Sequence, residues 1–395
     1  MPQALKPLEP DLSAHHRFGA QLRDWRQRRG LSQAVLARHT HVSPDLIAKI
    51  EKADRWPTAD LVETWDKLLE TGGVLASLWP EVDRERQQRS AAAAVVDPEL
   101  VAHWSRMLTV LTTTDNAAGT RGLDHVVAAE LRLLSHHRLA ATGPLKGQFG
   151  RVEARWLEFA SWIADNKGDP ARAVGWLARA GHLADQVGDR TLAGYVVMRQ
   201  AQRAVEAGDP AAAIALADAT VHRTHLPRRI RVLSLVRAAQ AHALDGNPSA
   251  VTARLTAAYR LLGQYGADED DEALTSHCTM AYVGAHEAHC RFLLGEPGPA
   301  VRDYRDALAD WPDGQRLDEG LFRAQLALAH DAAGMLEEAD AEGLRALELA
   351  RSTGSHRTLM TLDTLVQRRA AAHRPSVDDR FLPAWQAGIH RRRAS

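Results

Sequence analysis

Two cysteines in 395 residues, Cys278 and Cys290, are too few for a disulfide framework in a chain of this size. No run of eighteen apolar residues occurs, and Met1 to Ser13 lacks the apolar stretch of a signal peptide. These two absences predict a cytoplasmic protein with no membrane partner. Charge of one sign is missing too: 49 Lys and Arg against 50 Asp and Glu leave a formal net charge of -1, with both signs interspersed through the first ninety positions. No strongly basic domain announces nucleic acid, so DNA affinity must rest on a local arginine patch. Lysine is scarce beside arginine and alanine abounds, a composition of high-GC bacterial genomes.

Catalytic signatures are absent as well. The chain holds no phosphate loop of the GxxxxGK type, no dinucleotide fingerprint after a strand and no GxSxG elbow. The acidic run Asp268 to Asp271 precedes a helix, where solvation and the helix dipole account for it. The expectation is therefore a protein that is not an enzyme and needs no cofactor. His277, Cys278, His286, His289 and Cys290 crowd one predicted helix, and His286 and Cys290 stand one turn apart, a spacing compatible with two ligands of one metal. No CxxC or HExxH accompanies them, so they are read as ordinary helix residues and no metal is expected. His15-His16, His136-His137 and His222/His225 read as surface pairs.

What the chain does have is a sharply punctuated stretch at 31–52. Ser32 stands before one short apolar-periodic run, and Ser43, followed by Pro44 at the first helical position, stands before another. Val35 and Leu36 in the first, with Leu46, Ile47 and Ile50 in the second, give each helix one buried stripe, and Ala37 is small where the two must cross. Helices this short need a third to pack on. Phe18, Leu22 and Trp25 supply it, with Arg23, Arg26, Arg28 and Arg29 largely on the opposite face.

These residues resemble the helix-turn-helix domains of phage repressors, Cro proteins and their bacterial relatives, the XRE family. The resemblance covers about residues 18 to 80: Gly30-Leu31-Ser32-Gln33, Leu36-Ala37, Val42-Ser43, Ile47-x-x-Ile50-Glu51, and Pro57 before a fourth helix, Leu61 to Leu69. It implies a buried Arg26–Glu51 pair between the first and third helices, and a segment Ser43 to Lys49 that enters the DNA major groove. Pro44 and Asp45 depart from the usual pattern, since neither can donate to a guanine edge. Asp45 either accepts from a cytosine amino group or is only a helix-start acid, while Lys49 can reach guanine or a phosphate. By the same resemblance Gln33 meets phosphate, and Arg38, Lys52 and Arg55 add backbone contacts. The expected DNA-binding set is thus Gln33, Arg38, Ser43, Pro44, Asp45, Lys49, Lys52 and Arg55.

A boundary is expected after Trp79-Pro80. The charged run Glu81 to Arg89 and the alanines that follow suit a helical or semi-flexible connector over 81–97, and connecting helices fill 98–149, split by the breaker-rich Asp115 to Gly119. From about 150 the chain repeats itself. Gly168-Asp169-Pro170, Gly208-Asp209-Pro210, Gly246-Asn247-Pro248, Gly295-Glu296-Pro297 and Gly334-Met335-Leu336 recur about 40 residues apart, each ending one helix and starting the next. Five residues after the glycine come Ala173, Ala213, Ala300 and Ala339; twelve after it come Ala180, Ala258, Ala307 and Ala346; seven before it stand Ser161, Ala201, Ala239, Ala288 and Ala327. Nine after it a large residue is kept as Leu177, Leu255 and Tyr304 but lost at Ala217 and Gly343.

These offsets resemble the tetratricopeptide repeat, although the period exceeds that family's 34 residues. The resemblance implies a concave groove formed by Arg155, Glu158, Trp162, Asn166, Tyr195, Met198, Gln202, Gln240, Tyr282 and His289. Such a mixture of aromatic, amide and charged side chains suits an extended peptide. The expected architecture is all-α: a 1–17 tail, a lambda-repressor-like helix-turn-helix bundle over 18–80, and a tetratricopeptide-like α-solenoid over 150–374. A tail over 375–395 with a frayed basic end, His390 to Arg393, completes it. The combination resembles Gram-positive regulators whose repeat domain binds a signalling peptide, which implies a homodimer on double-stranded operator DNA. The competing expectation is a scaffold whose repeats hold a protein partner, the helix-turn-helix serving as an interaction module.

Overall fold

Capped, amphipathic helices account for nearly all the regular structure. The computed structural model describes residues 9–92, 97–264, 272–372 and 381–393; among them there is no strand, and one 3-10 turn, Pro10–Leu12, precedes the first helix. The chain divides into two compact units, one of residues 1–100 with 132–146 and the other of 101–131 with 147–395. Among the described residues no helix is long and apolar enough to cross a membrane.

The first unit holds α1 (Ala14–Arg28), α2 (Gln33–His39), α3 (Pro44–Glu51), α4 (Ala59–Leu68) and α5 (Val74–Ala92). Ser13, Ser32, Ser43 and Thr58 each accept a hydrogen bond from the amide three residues on, satisfying donors that a helix start leaves free. Phe18, Leu22, Leu36, Ile47, Ile50, Trp65, Leu69 and Leu75 are fully buried in one core. Two expectations are corrected here. The 1–17 segment is not all tail, because the Ser13 cap starts α1 at Ala14; His15, read as a surface residue, is buried, stacked 3.8 Å from Trp56 with Nε2 on the Arg55 carbonyl at 2.9 Å. Nor is the stretch after Pro80 a connector separate from the first core. α5 continues through it, nucleated by the Asp66 carboxylate, which accepts from the amides of Gly73, Leu75 and Ala76, and Val82 is buried in the same core.

The second unit contains α6 (Glu99–Ala118), most of whose length lies in it, and part of α7 (Leu123–Ala140), within which the division falls. There follow α8 (Gly143–Lys167), α9 (Pro170–Gln186), α10 (Arg190–Glu206), α11 (Pro210–Val221), α12 (Arg228–Leu244), α13 (Pro248–Leu262), α14 (Glu272–Thr275), α15 (Met280–Leu293) and α16 (Pro297–Ala309). Then come α17 (Arg316–Ala332), α18 (Leu336–Thr353), α19 (His356–Ala371) and α20 (Phe381–Arg393). The hairpins α8/α9, α10/α11, α12/α13, α15/α16 and α17/α18 turn at Gly168, Gly208, Gly246, Gly295 and Gly334, whose φ angles between +69° and +81° are left-handed. Asp169, Asp209 and Asn247 cap the second helix of their hairpins. The recurring small residues are buried throughout, and Ser161 uses its hydroxyl to donate to the Ala173 carbonyl at 2.9 Å, so close helix approach is what the small side chains allow.

Two further corrections belong to this unit. Asp115 to Ala118 do not break the chain; α6 runs through them, with Asp115 buried. Residues 375–395 are not simply a tail, because Phe381 and Trp385 of α20 are buried against Leu362, Leu365 and Ala346. The side chains of His390 to Arg393, like the acidic run Asp268 to Asp271, lie outside the described residues.

The two ends of the repeat body meet. Gly119, just past α6, packs so tightly on the α18 terminus that a Cβ there would stand 1.8 Å from the Thr353 carbonyl oxygen. Arg121 donates to the Arg351 carbonyl at 2.5 Å. At the start of α19, Arg357 lies over the Trp162 ring of α8 (5.4 Å) and pairs with Glu206 of α10 at 3.2 Å. The helices that begin the body are thus joined to those that end it.

Candidate functional site

Two places in the chain present chemistry, one in each unit. In the first, α3 buries Ile47 and Ile50 and turns Pro44, Asp45 and Lys49 outward, with Ser43 exposed at its start and accepting from the Leu46 amide at 3.1 Å. Asp45 and Lys49, one turn apart, form an exposed ion pair at 2.7 Å. Arg38 and Arg55 are exposed and Lys52 half-buried, with no side-chain ion pair among the described residues. Gln33 is occupied: its amide donates to Glu51 at 2.7 Å. Glu51 is itself buried in a two-pronged pair with Arg26, at 2.5 and 3.0 Å, while Arg26 also donates to the Leu31 carbonyl at 2.8 Å. Arg23 approaches the same carboxylate at 3.4 Å. These contacts lock α1 to α3 and fix how α3 faces solvent.

The second unit holds a solvent-open cavity of about 760 Å³, walled by α6, α8, α10, the α14–α15 segment and α17. Seven of the ten residues expected in the groove line it: Arg155, Glu158, Trp162, Tyr195, Met198, Gln202 and Tyr282. Three do not. Asn166 is buried in the last turn of α8, directly before the hairpin turn, with its amide unpartnered. Gln240 accepts from Arg237 at 2.7 Å beneath the wall, and His289 is held 3.2 Å from the Tyr304 hydroxyl, where burial lowers its pKa to about 4.

Sequence reasoning missed the residues that organise this wall. Arg199, nearly inaccessible on α10, reaches Glu158 (3.3 Å), Asp165 (3.2 Å) and Gln202 (2.9 Å), and lies 4.9 Å over the Trp162 ring. Helical spacing carries a signal for it, since Arg199 shares a face with Tyr195 and Gln202. Arg203 also pairs with Asp165 and donates to the Pro170 carbonyl at 3.0 Å. Behind Tyr282, Arg237 donates to that hydroxyl at 2.6 Å and meets His286 at 3.2 Å.

Carboxyl groups set the electrostatics. Burial pushes Glu158 up despite Arg199 beside it. Asp115 accepts from Trp162 Nε1 at 2.7 Å through one oxygen; desolvation outweighs that bond, and with repulsion from Asp318 it raises the carboxyl to about 7. Asp318, from the first turn of α17, is likewise raised by burial, with Arg357, Arg237 and Arg199 opposing. His277 lines the wall with its pKa lowered to about 3 by burial and then by Arg237, so it is neutral. Exposed Ser105, Thr109, Thr113, Gln148 and Arg151 stand at the mouth. The arrangement suits binding of a small polar molecule with an apolar body. His286 and Cys290 of α15 face Tyr282, Phe322 and Arg237 or the core, the thiol being pushed up to about 12 by burial. Among the described residues no cluster of three or more His, Cys, Asp or Glu could hold a metal.

No curated protein matches the chain. Among solved structures, PlcR of Bacillus thuringiensis, in complex with the peptide PapR7 and DNA, aligns over 82% of this chain and 98% of its own at 12% identity. The TM-score of 0.25 is too low to argue from. Residues 17–79 match the family model described as a helix-turn-helix domain, and the chain accordingly carries a helix-turn-helix domain at its N-terminal end, followed by a helical-repeat body.

Proposed function

We propose that the protein is a sequence-specific, DNA-binding transcription regulator of the XRE kind. Its tetratricopeptide-like body forms the homodimer and takes a short peptide or small effector. The observation that carries this reading is a cavity of about 760 Å³, walled by buried charge, in a chain that also carries a helix-turn-helix domain. A volume of that order suits a single small molecule or a peptide of a few residues. Residues Ser43, Pro44, Asp45 and Lys49 address the major groove, with Gln33, Arg38, Lys52 and Arg55 positioning on phosphates. The effector set is Arg155, Glu158, Trp162, Tyr195, Met198, Gln202 and Tyr282.

The ligand changes operator binding only to the extent that it prefers one conformation of the body over another. Selection from random duplex DNA by the full-length protein at ~150 mM salt, where non-specific phosphate binding is weak, tests the reading. Two related half-sites about one DNA turn apart are the expected product. No enrichment, from the full chain or from residues 1–100, would sink it. The exposed Asp45–Lys49 pair, which occupies the cation in the last turn of α3, favours the second reading, a scaffold whose first domain meets protein. In that case partner capture succeeds where DNA selection fails.

A further inference from the structure

The inner wall of the repeat-body cavity holds more acid than it needs. Arg199 and Arg203 satisfy Asp165, Arg199 also serves Glu158, and Arg357 serves Glu206. Among the described residues neither Asp115 nor Asp318 forms an ion pair with a guanidinium, although Arg357, Arg237 and Arg199 act on Asp318 from farther off. Arg237, the remaining cation of this inner set, is spent on Tyr282, Gln240 and His286. Farther out, Arg155 approaches Asp189 at 3.9 Å and Arg151 reaches the Val187 carbonyl at the mouth.

Asp115 is the sharper anomaly. It is 1% exposed and lines the cavity, one oxygen takes the Trp162 indole proton, and Oδ1 is buried with no hydrogen-bond partner among the described residues. A carboxylate oxygen left this way costs on the order of 1–3 kcal/mol, more when charged, unless something else supplies a donor. Asp318 lines the same cavity from α17 and repels Asp115. His277, which shares the wall, is neutral and cannot act as the missing cation.

We propose that Asp115 and Asp318 form the subsite for a protonated amine, so that the effector of the cavity carries an ammonium group on an apolar or aromatic body. The inference rests on the reading of this cavity as the effector site. An ammonium has three donors and no acceptor, so it can bond Asp115 Oδ1 and Asp318 together and remove their repulsion. Phe159, Met198, Tyr195 and Tyr282 offer apolar surface for the remainder of the molecule. Arg199 and Arg357 already lie over the Trp162 ring, so the indole orients Asp115 rather than caging the cation itself. Two sources carry this chemistry: a free arylalkylamine and the N-terminus of a short peptide.

The test uses full-length protein and matched probes. Tyramine is compared with N-acetyltyramine and with 3-(4-hydroxyphenyl)propionate; amidated tyrosyl-glycyl-glycine is compared with its N-acetylated form. Titration calorimetry is expected to show the ammonium member of at least one set binding tenfold or more tighter than its acetylated partner, and the set that binds identifies the source. Asp115→Asn and Asp318→Asn should each remove that preference. Both are near-isosteric, and thermal melts check their folding. In two buffers of different ionisation enthalpy near pH 7, amine binding should release a proton from Asp115, which a purely structural carboxyl would not. Equal binding of acetylated or carboxylate members, or amine preference surviving both variants, overturns the subsite but leaves an effector cavity standing. Failure of every ammonium member to bind at millimolar concentration also overturns it. Failure of the wider reading shows separately, as the absence of operator enrichment.

Discussion

Phe381 occupies the space that Gly343 leaves open. A Cβ on Gly343 would stand 2.9 Å from the Phe381 ring, so the ring lies on bare α18 backbone at the position where other hairpins carry Leu177, Leu255 or Tyr304. The large residue missing from the last repeat is supplied by the C-terminal helix. Phe381→Ala is expected to cost about 3–5 kcal/mol, measured as a lowered denaturant midpoint. Gly343→Leu should destabilise the wild type, by overfilling the site, yet recover part of the loss in the Phe381→Ala background. Additive losses in the double variant would refute the filling relationship.

Glu51 is sealed in the first unit with Arg26, Arg23 and Gln33 around it. Removing one partner strands the other charge, so Arg26→Met or Glu51→Leu alone should cost roughly 3–5 kcal/mol. The double variant Arg26→Met/Glu51→Leu should cost clearly less than the sum, because no charge is left behind. A double-mutant cycle on unfolding of residues 1–100, or on the full chain, reads this directly.

The pH dependence of the repeat body follows from Asp115. Its folded pKa, about 7, is raised above the ordinary value of 3.8, so the folded state holds a proton that the unfolded state gives up. The stability this confers is intact below pH ~4 and is lost as pH rises toward 7, at most about 4 kcal/mol. The groups facing it are Trp162 from α8 and Asp318 from α17, and the latter shift acts in the same direction. Asp115→Asn should therefore flatten the slope between pH ~4 and ~7 and raise the melting temperature at pH ~8. An unchanged slope would place the carboxyl in a wetter site than its burial indicates.

The helix-turn-helix and the hairpin period were legible because each is written in local chemistry: Ser32, Ser43 and Pro44 at helix starts, and glycines at left-handed turns with small residues at fixed offsets. That same periodicity pointed to Tyr195, Met198 and Gln202 on one face of α10. It passed over Arg199 between them, since a buried arginine depends on acids from another helix, Glu158 and Asp165 on α8. Asp115-Asn-Ala-Ala-Gly119 read as a break because Asp, Asn and Gly disfavour helix interiors, but α6 runs on through Ala118 with Asp115 bonded to the Trp162 indole. Phe381 follows a gap in the pattern that only the void at Gly343 explains. The cavity is lined by Asp115 and Asp318 together, residues far apart in the chain, which no local window contains.

The contact between the ends of α6 and α18 depends on Gly119, whose φ of +86° and approach to Thr353 leave no room for a side chain. Gly119→Val should part the ends of the body and cost on the order of 1–3 kcal/mol. Small-angle scattering should report a larger radius of gyration, and limited proteolysis faster cleavage near residues 119–122. A compact variant with unaltered proteolysis would show that the α6 and α18 ends are held elsewhere.

The α3 face makes the most direct functional prediction. The Asp45–Lys49 pair is exposed and worth well under 1 kcal/mol, so DNA can separate it cheaply. If Asp45 accepts from a cytosine amino group, Asp45→Asn should relax the selected sequence at one position of each half-site, by about 1–3 kcal/mol of discrimination. Non-specific affinity should rise at the same time, because a negative charge has left the interface. Lys49→Ala has two distinguishable outcomes. If the ammonium meets a phosphate, its removal from a single recognition helix lowers affinity for all sequences alike and reduces the salt slope by about 0.9. If it meets a guanine edge, its removal relaxes one base position and leaves the others selected. Binding assays with wild-type, Asp45→Asn and Lys49→Ala proteins on one selected operator and its single-base variants separate these cases. Unchanged selection and affinity in both variants would remove α3 from the DNA interface, and with it the assignment of Ser43 and Pro44 to the groove.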